Sequence, residues 1–166
     1  MVCICRDEID SAYRFGNIAL KLNKIKDNKY KHLVLQVYYG FILHHKEHLK
    51  KTIPGLAEDL SLSMEAGDFE YASLAVYSIC CYNFYLGKNL VELNDEITSY
   101  TDLMRKIKQT SILSLIEAYR QVVLNLIEVS ENPWELAGAA FNEKEMIPLL
   151  EHINHGHSLV HIYFLK

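Results

Sequence analysis

Glycine, proline, cysteine and tryptophan are scarce in this sequence, at 7, 3, 4 and 1 of 166 residues. So little Gly and Pro excludes a collagen-like fibre and a Gly/Ser linker, and a hydrophobic content of 50% excludes a disordered tail. No signal peptide is expected, since Met1 to Glu8 has no basic start and no apolar stretch of about 7–15 residues. Long apolar runs are missing too. The longest uncharged run, Tyr71 to Gly87, just reaches the lower limit for a membrane span. It contains Ser73, Ser78, Asn83 and four Tyr, so it reads as a buried helix, and no membrane partner is expected. A compact chain of this length buries roughly 70% of its unfolded surface and needs no disulfide or metal staple. Cys3-x-Cys5 and the adjacent Cys80-Cys81 form no CxxC pair, so they read as structural thiols of a reducing cytoplasm.

What is present is helical periodicity. Ile9, Tyr13, Gly16, Ala19 or Leu20, and Asn23 mark a first helix. Leu33, Val37, Phe41, His44 and His48 form one stripe of a second, with Gly40 on its surface. Leu56, Leu60 and Met64 mark a third, with Pro54 near its start, where a missing N–H costs little. Gly67 suits the end of that helix and Asp68 the cap of the next. The fourth has two faces, Phe69-Ala72-Val76-Ile79-Leu86 and Tyr71-Ser78-Tyr82-Tyr85, so it is packed on both sides. Leu90 to Ile107 and Ile112 to Leu126 give a fifth and a sixth, before Asn132-Pro133 breaks the pattern. Asn142 with Glu145 opens a seventh in the manner of a capping box, and an eighth begins near Gly156 and is still apolar at Leu165.

The expected fold is therefore all-α, with about seven or eight helices over residues 1–166 and short connections that make antiparallel hairpins. Two hairpins, Thr52 to Leu86 and Lys88 to Glu128, follow each other at about 37 residues, near the ~34-residue tetratricopeptide period. The Trp-Leu-Gly-Tyr signature is absent, so the expectation is a degenerate tetratricopeptide-like α-solenoid.

Charge is uneven. Residues 1–56 carry 10 Lys+Arg against 5 Asp+Glu, and residues 57–166 carry 7 against 16. Lys21, Lys24, Lys26, Lys29 and Lys31 lie at a helix end and the adjoining turn, where Lys also suits the helix dipole. With no Arg-rich recognition helix, they read as a solvated basic end and not as a nucleic-acid patch.

Two histidine groups invite a metal reading. His44-His45-Lys46-Glu47-His48 fits the H-x-x-E-H pattern of a zinc-peptidase class, with His44 and His48 as ligands and Glu47 as base. Such a site needs a third ligand, and no second motif nominates one. The two histidines extend the Leu33-Val37-Phe41 stripe, so they read as interface residues, with a zinc-dependent hydrolase as the remote alternative. His152, His155, His157 and His161 gather around a turn and a helix start and are likewise read as structural. No G-x-x-x-x-G-K-[ST], G-x-G-x-x-G or G-x-S-x-G occurs. No catalytic residue, cofactor or metal is assigned. Eleven Tyr suit a helical core, and the Tyr71-Tyr82-Tyr85 stripe is the candidate partner surface.

Several phrases point to a family. They are Tyr13-Arg14-Phe15-Gly16, Lys46-Glu47-His48-Leu49, Gly67-Asp68 with Tyr71-Ala72, and Gly87-Lys88 followed by Leu90, Glu92 and Leu93. Further on stand Tyr119-Arg120-Gln121 with Leu124-Asn125-Leu126, and Asn132-Pro133 followed by Phe141-Asn142-Glu143, Met146, Pro148 and Leu149. Over residues 10–165 they resemble the helical, tetratricopeptide-like region of large bacterial multidomain signalling kinases. There a Ser/Thr-kinase-like domain and an AAA/STAND-type ATPase precede the helical region, and a GAF domain and a histidine kinase commonly follow it. The resemblance implies a segment of a longer cytoplasmic protein, with residues 1–8 as an atypical start and a last helix that would run on. It implies a non-catalytic scaffold working through protein partners or neighbouring domains. A stand-alone helical adaptor is the alternative.

Overall fold

The computed structural model describes residues 8–25 and 30–166. All the regular structure there is helical, apart from a single bridge between Ala137 and Asn142. Eight α-helices follow in order: α1 (Ile9–Ile25), α2 (Lys31–Phe41), α3 (Ile53–Ala66), α4 (Phe69–Tyr85), α5 (Leu90–Lys106), α6 (Thr110–Ile127), α7 (Glu143–His152) and α8 (Gly156–Leu165). No described helix is long and apolar enough to cross a membrane. Cys3, Cys5, Lys26, Lys29 and the Lys24 side chain lie outside the described residues. Cys80 and Cys81 are buried thiols.

The caps are local in origin. Pro54 sits in the first turn of α3, where its missing N–H would have no partner within the helix. Asn89 accepts from the N–H groups of Val91 and Glu92 at 3.0 and 3.2 Å, and so starts α5. Asn142 accepts from the Lys144 N–H at 3.1 Å, and its amide donates to Glu145 Oε1 at 2.7 Å. Glu145 thus reaches the Asn142 side chain, where a standard capping box would reach the backbone. At the other ends, Gly67, Gly87, Lys108, Val129 and Asn154 all adopt positive φ. After each comes a backbone N–H that reaches back five residues: Asp68 to Ser63, Lys88 to Asn83, Gln109 to Met104, Ser130 to Asn125 and His155 to Leu150. One left-handed residue therefore closes each of α3 to α7.

The chain divides into two compact units, Met1–Tyr82 and Asn83–Lys166, with the boundary in the last turn of α4. In the first, Ala12, Tyr38, Ile42 and Leu43 form a buried cluster with Tyr13, Leu20, Val37 and Tyr39 packed against it. Gly16 makes this approach feasible, since a Cβ there would stand 2.3 Å from Tyr38 Cδ2. The α2–α4 seam in this unit is polar: Gln36 Nε2 donates to Ser78 Oγ at 3.4 Å, and the Tyr82 hydroxyl donates to the Gly40 carbonyl. In the second unit, Ala118 and Val122 of α6, Leu150 of α7 and Ile162 of α8 enclose Leu136 and Phe141 from the intervening loop.

That loop is held by two α6 side chains. Asn125 Nδ2 donates to the carbonyls of Pro133 and Glu135 at 3.0 and 2.9 Å. Gln121 Oε1 accepts from the N–H groups of Ala140 and Phe141 at 3.0 and 3.2 Å, and its Nε2 donates to Asn125 Oδ1 at 2.8 Å. Apolar Leu136 and Phe141 supply burial, and the two amides satisfy backbone that burial would otherwise strand.

Candidate functional site

The second helix is shorter than its apolar stripe suggested. It stops at Phe41, and Leu43–His45 form a 3-10 turn. His44 and His48 therefore share no α-helical face, which corrects the sequence expectation. His44 is half-buried, with Nδ1 3.3 Å from the Tyr82 hydroxyl, and burial followed by the neighbouring His45 lowers its pKa. His48 is exposed, and its Nδ1 accepts from the Lys50 N–H at 3.1 Å to cap the next 3-10 turn. Glu47 is engaged as well: Tyr13 donates to Oε1 at 2.6 Å and Lys51 pairs with Oε2. The Lys51 contact, then the Tyr13 hydrogen bond, holds its carboxyl below the usual range. The physical reason for the early helix end is tertiary packing, since Ile42 and Leu43 turn into the core and leave the histidines on the connection.

The tyrosines of the candidate surface differ in role. Tyr71 is half-buried, with its ring edge-on to His32 at a centroid distance of 5.8 Å. Tyr82 ties α4 to the end of α2, and burial raises its pKa. Tyr85, in the second unit, is exposed on one side and meets Tyr119 and Phe164 edge-on. Lys31 pairs with Glu58 at 2.6 Å.

An open apolar groove of the first unit lies elsewhere. A groove of about 400 Å³ runs between α1 and α2, lined by Ala12, Phe15, Gly16 and Ala19 on one side and Leu33, Val34, Val37, Tyr38 and Ile42 on the other. Along its outer lip Phe15, Ile18 and Leu22 are 66%, 52% and 61% exposed. Three large apolar residues thus stand at helical spacing on one solvent face. Arg14 and Lys21 are interleaved with them on α1, with no ion pair among the described residues. The groove floor is rigid: Tyr38 donates to Asn17 Oδ1 at 3.1 Å, and burial, then the adjacent Tyr13, pushes its pKa up to about 12. Among the described residues, Tyr38 is the one titratable group of its lining.

A second cavity, about 350 Å³, is lined by Tyr30, His32, Leu33, Ala66 and Asp68. His32 Nε2 lies 3.1 Å from Asp68 Oδ2 there. Among the described residues, the lining places no Ser, Thr, Cys or Lys beside this imidazole–carboxylate pair. In the second unit, His155 precedes α8 with Nδ1 2.7 Å from Ser158 Oγ, His157 and His161 lie on α8 with ring centroids 4.6 Å apart, and His152 is exposed on α7. Burial, then the preceding histidine of this group, lowers the pKa of both His157 and His161.

The sequence did hold a signal for the groove. Phe15, Ile18 and Leu22 lie off the Ile9-Tyr13-Gly16-Leu20 stripe, so α1 is apolar on more than one side, the same property that marked α4 as doubly packed. No protein-family model, curated protein or solved structure matches the chain.

Proposed function

We propose that this chain is a non-catalytic helical scaffold, a degenerate tetratricopeptide-like segment of a multidomain signal-transduction ATPase and histidine kinase. It works by holding a protein partner or a neighbouring domain. The observation that carries the docking role is the α1–α2 groove with its exposed Phe15, Ile18 and Leu22 lip. The occupant is an amphipathic helix seated in the groove by its apolar face. Its flanks are acidic, because Arg14 and Lys21 border the lip and the first 56 residues carry twice as many basic as acidic side chains. The recurring helix ends and the family-like phrases support the solenoid and kinase parts of the reading. The scaffold would bias its neighbours by engaging this groove in one of their states and leaving it in another.

The docking role is tested with a synthetic 18-residue helical peptide, leucine-striped and glutamate-flanked, in fluorescence anisotropy. Micromolar binding is expected, weakened about tenfold or more by Leu22→Glu and by Arg14→Glu/Lys21→Glu. Equal binding by wild type and variants, or equal binding of a lysine-flanked peptide, refutes it. The kinase assignment has its own test in the DNA around the reading frame. An in-frame nucleotide-binding domain upstream and a histidine kinase downstream are expected; neither being present leaves a stand-alone adaptor.

A further inference from the structure

The second unit carries an apolar face of its own. Between α6 and α7 lies a cleft of about 430 Å³, walled by Leu113 and Glu117 on one side and by Met146, Leu149 and Ile153 on the other. α7 is anchored beneath it, since Leu150 is buried in the core and Met146 packs against the same cluster. Leu149 and Ile153, one turn apart on the outer side, stay 51% and 56% exposed. Glu145, one turn before Leu149, extends their row and is exposed as well. Its Oε1 accepts from the Asn142 amide, and no ion pair joins it among the described residues. Outward, α7 is therefore an apolar row with a carboxylate at its head.

We propose that this α7 face seats on the α1–α2 groove of a second copy of the chain, so that copies associate head to tail. The inference rests on the docking role proposed above and names the occupant of that groove. Leu149 and Ile153 would meet the Phe15, Ile18 and Leu22 lip, and each face would cover apolar surface that the other leaves in water. Charge selects this pairing. Arg14 and Lys21 border the lip, whereas Glu145 and Glu117 border the α7 row. Residues 1–56 carry 10 Lys+Arg against 5 Asp+Glu, and residues 57–166 carry 7 against 16. Two α1 faces would set Arg14 and Lys21 against their own kind, and two α7 faces would do the same with Glu145, so unlike faces pair. A contact between unlike faces leaves one of each open on the pair, and association continues past the dimer. One helix laid on two makes a small interface, which sets the affinity at about 10–100 µM.

The test is analytical ultracentrifugation of the whole chain from about 5 to 300 µM. The average mass should rise past that of a dimer, and the rise should weaken at about 0.5 M salt. Leu22→Glu removes one face and Leu149→Glu the other, both at exposed positions, so each variant alone should stay monomeric. An equal mixture of the two should form a heterodimer and stop there, because one good face remains on each; that recovery also shows that both variants are folded. A wild type that is monomeric throughout, association that survives Leu149→Glu, or a mixture that stays monomeric overturns the proposal. The glutamate-flanked peptide separates this inference from the docking role. It should bind Leu149→Glu as tightly as wild type and dissociate the wild-type assemblies. Peptide binding by a wild type that stays monomeric overturns the self-association and leaves the docking role standing, whereas no peptide binding by wild type overturns both.

Discussion

The Ser63 hydroxyl donates to Oδ1 of Asp59 at 3.1 Å, and both side chains are completely shielded from solvent. Oδ2 of Asp59 has no hydrogen-bond partner among the described residues. Burial, against the opposing Ser63 hydrogen bond and reinforced by the Asp68 charge, pushes this carboxyl up to about 7. In the unfolded chain the same group ionises near pH 4. The folded state therefore holds the proton more tightly, and the resulting stability is complete below about pH 4 and is lost as pH rises through about 7. Asp59→Asn keeps the shape and removes the charge. It should stabilise the protein by about 1–3 kcal/mol at pH 8 and by clearly less at pH 5. Urea unfolding of both proteins at the two pH values checks this; an equal loss at both would show that the carboxylate is needed for packing.

Asn125 should be costly to remove. Its amide bonds the carbonyls of both Pro133 and Glu135, and it also accepts from Gln121. Asn125→Ala strands these groups, at a cost of about 2–4 kcal/mol. Hydrogen exchange over 133–142 should quicken more than exchange in α5. Uniform quickening across the second unit would instead mean that the loop unfolds only with the whole unit.

Val129 closes α6 at φ 52° while 84% exposed. A β-branched side chain is strained there, whereas Gly or Asn is at home. Val129→Gly should raise stability by about 1 kcal/mol, because nothing buried is lost. A lower melting temperature in Val129→Gly would show that the valine makes a contact that outweighs its strain.

These cases also mark what could be seen in the sequence. Gly67 and Gly87 announced two left-handed helix ends, because glycine is the usual residue for positive φ. Lys108, Val129 and Asn154 perform the same turn, and Lys and Val give no such notice. The all-α class, Pro54 at a helix start and Asn142 as a cap were legible because each depends on near neighbours in the chain. The end of α2 was not. Apolar periodicity continues through His44 and His48, and the turn into the core at Ile42 and Leu43 depends on tertiary packing. The candidate site was obscured for a related reason. Tyr82 looked like surface from its spacing, and its engagement with Gly40 depends on a helix about forty residues away. Phe15, Ile18 and Leu22 were visible as apolar residues, but which face of α1 stays open is decided by where α2 packs.

Gly16 decides the depth of that groove, and so offers the sharpest test of how the first unit is built. A Cβ at this position would stand 2.3 and 2.8 Å from Cδ2 and Cε2 of Tyr38, closer than real Cβ contacts allow. The ring has little room to retreat, since its hydroxyl is tied to Asn17 and its face is tilted against Tyr13 at 6.2 Å. Gly16→Ala should therefore push α1 from α2 and cost about 1–3 kcal/mol, despite the better helix propensity of alanine. Removing the ring should relieve the clash. The double variant Gly16→Ala/Tyr38→Leu is expected to lose clearly less stability than the two single losses combined, with a coupling of about 1 kcal/mol or more. Strict additivity in a thermal-unfolding double-mutant cycle would mean that the helices are not held at this distance by Gly16, and that the groove is shaped by the Phe15 and Leu33 sides alone.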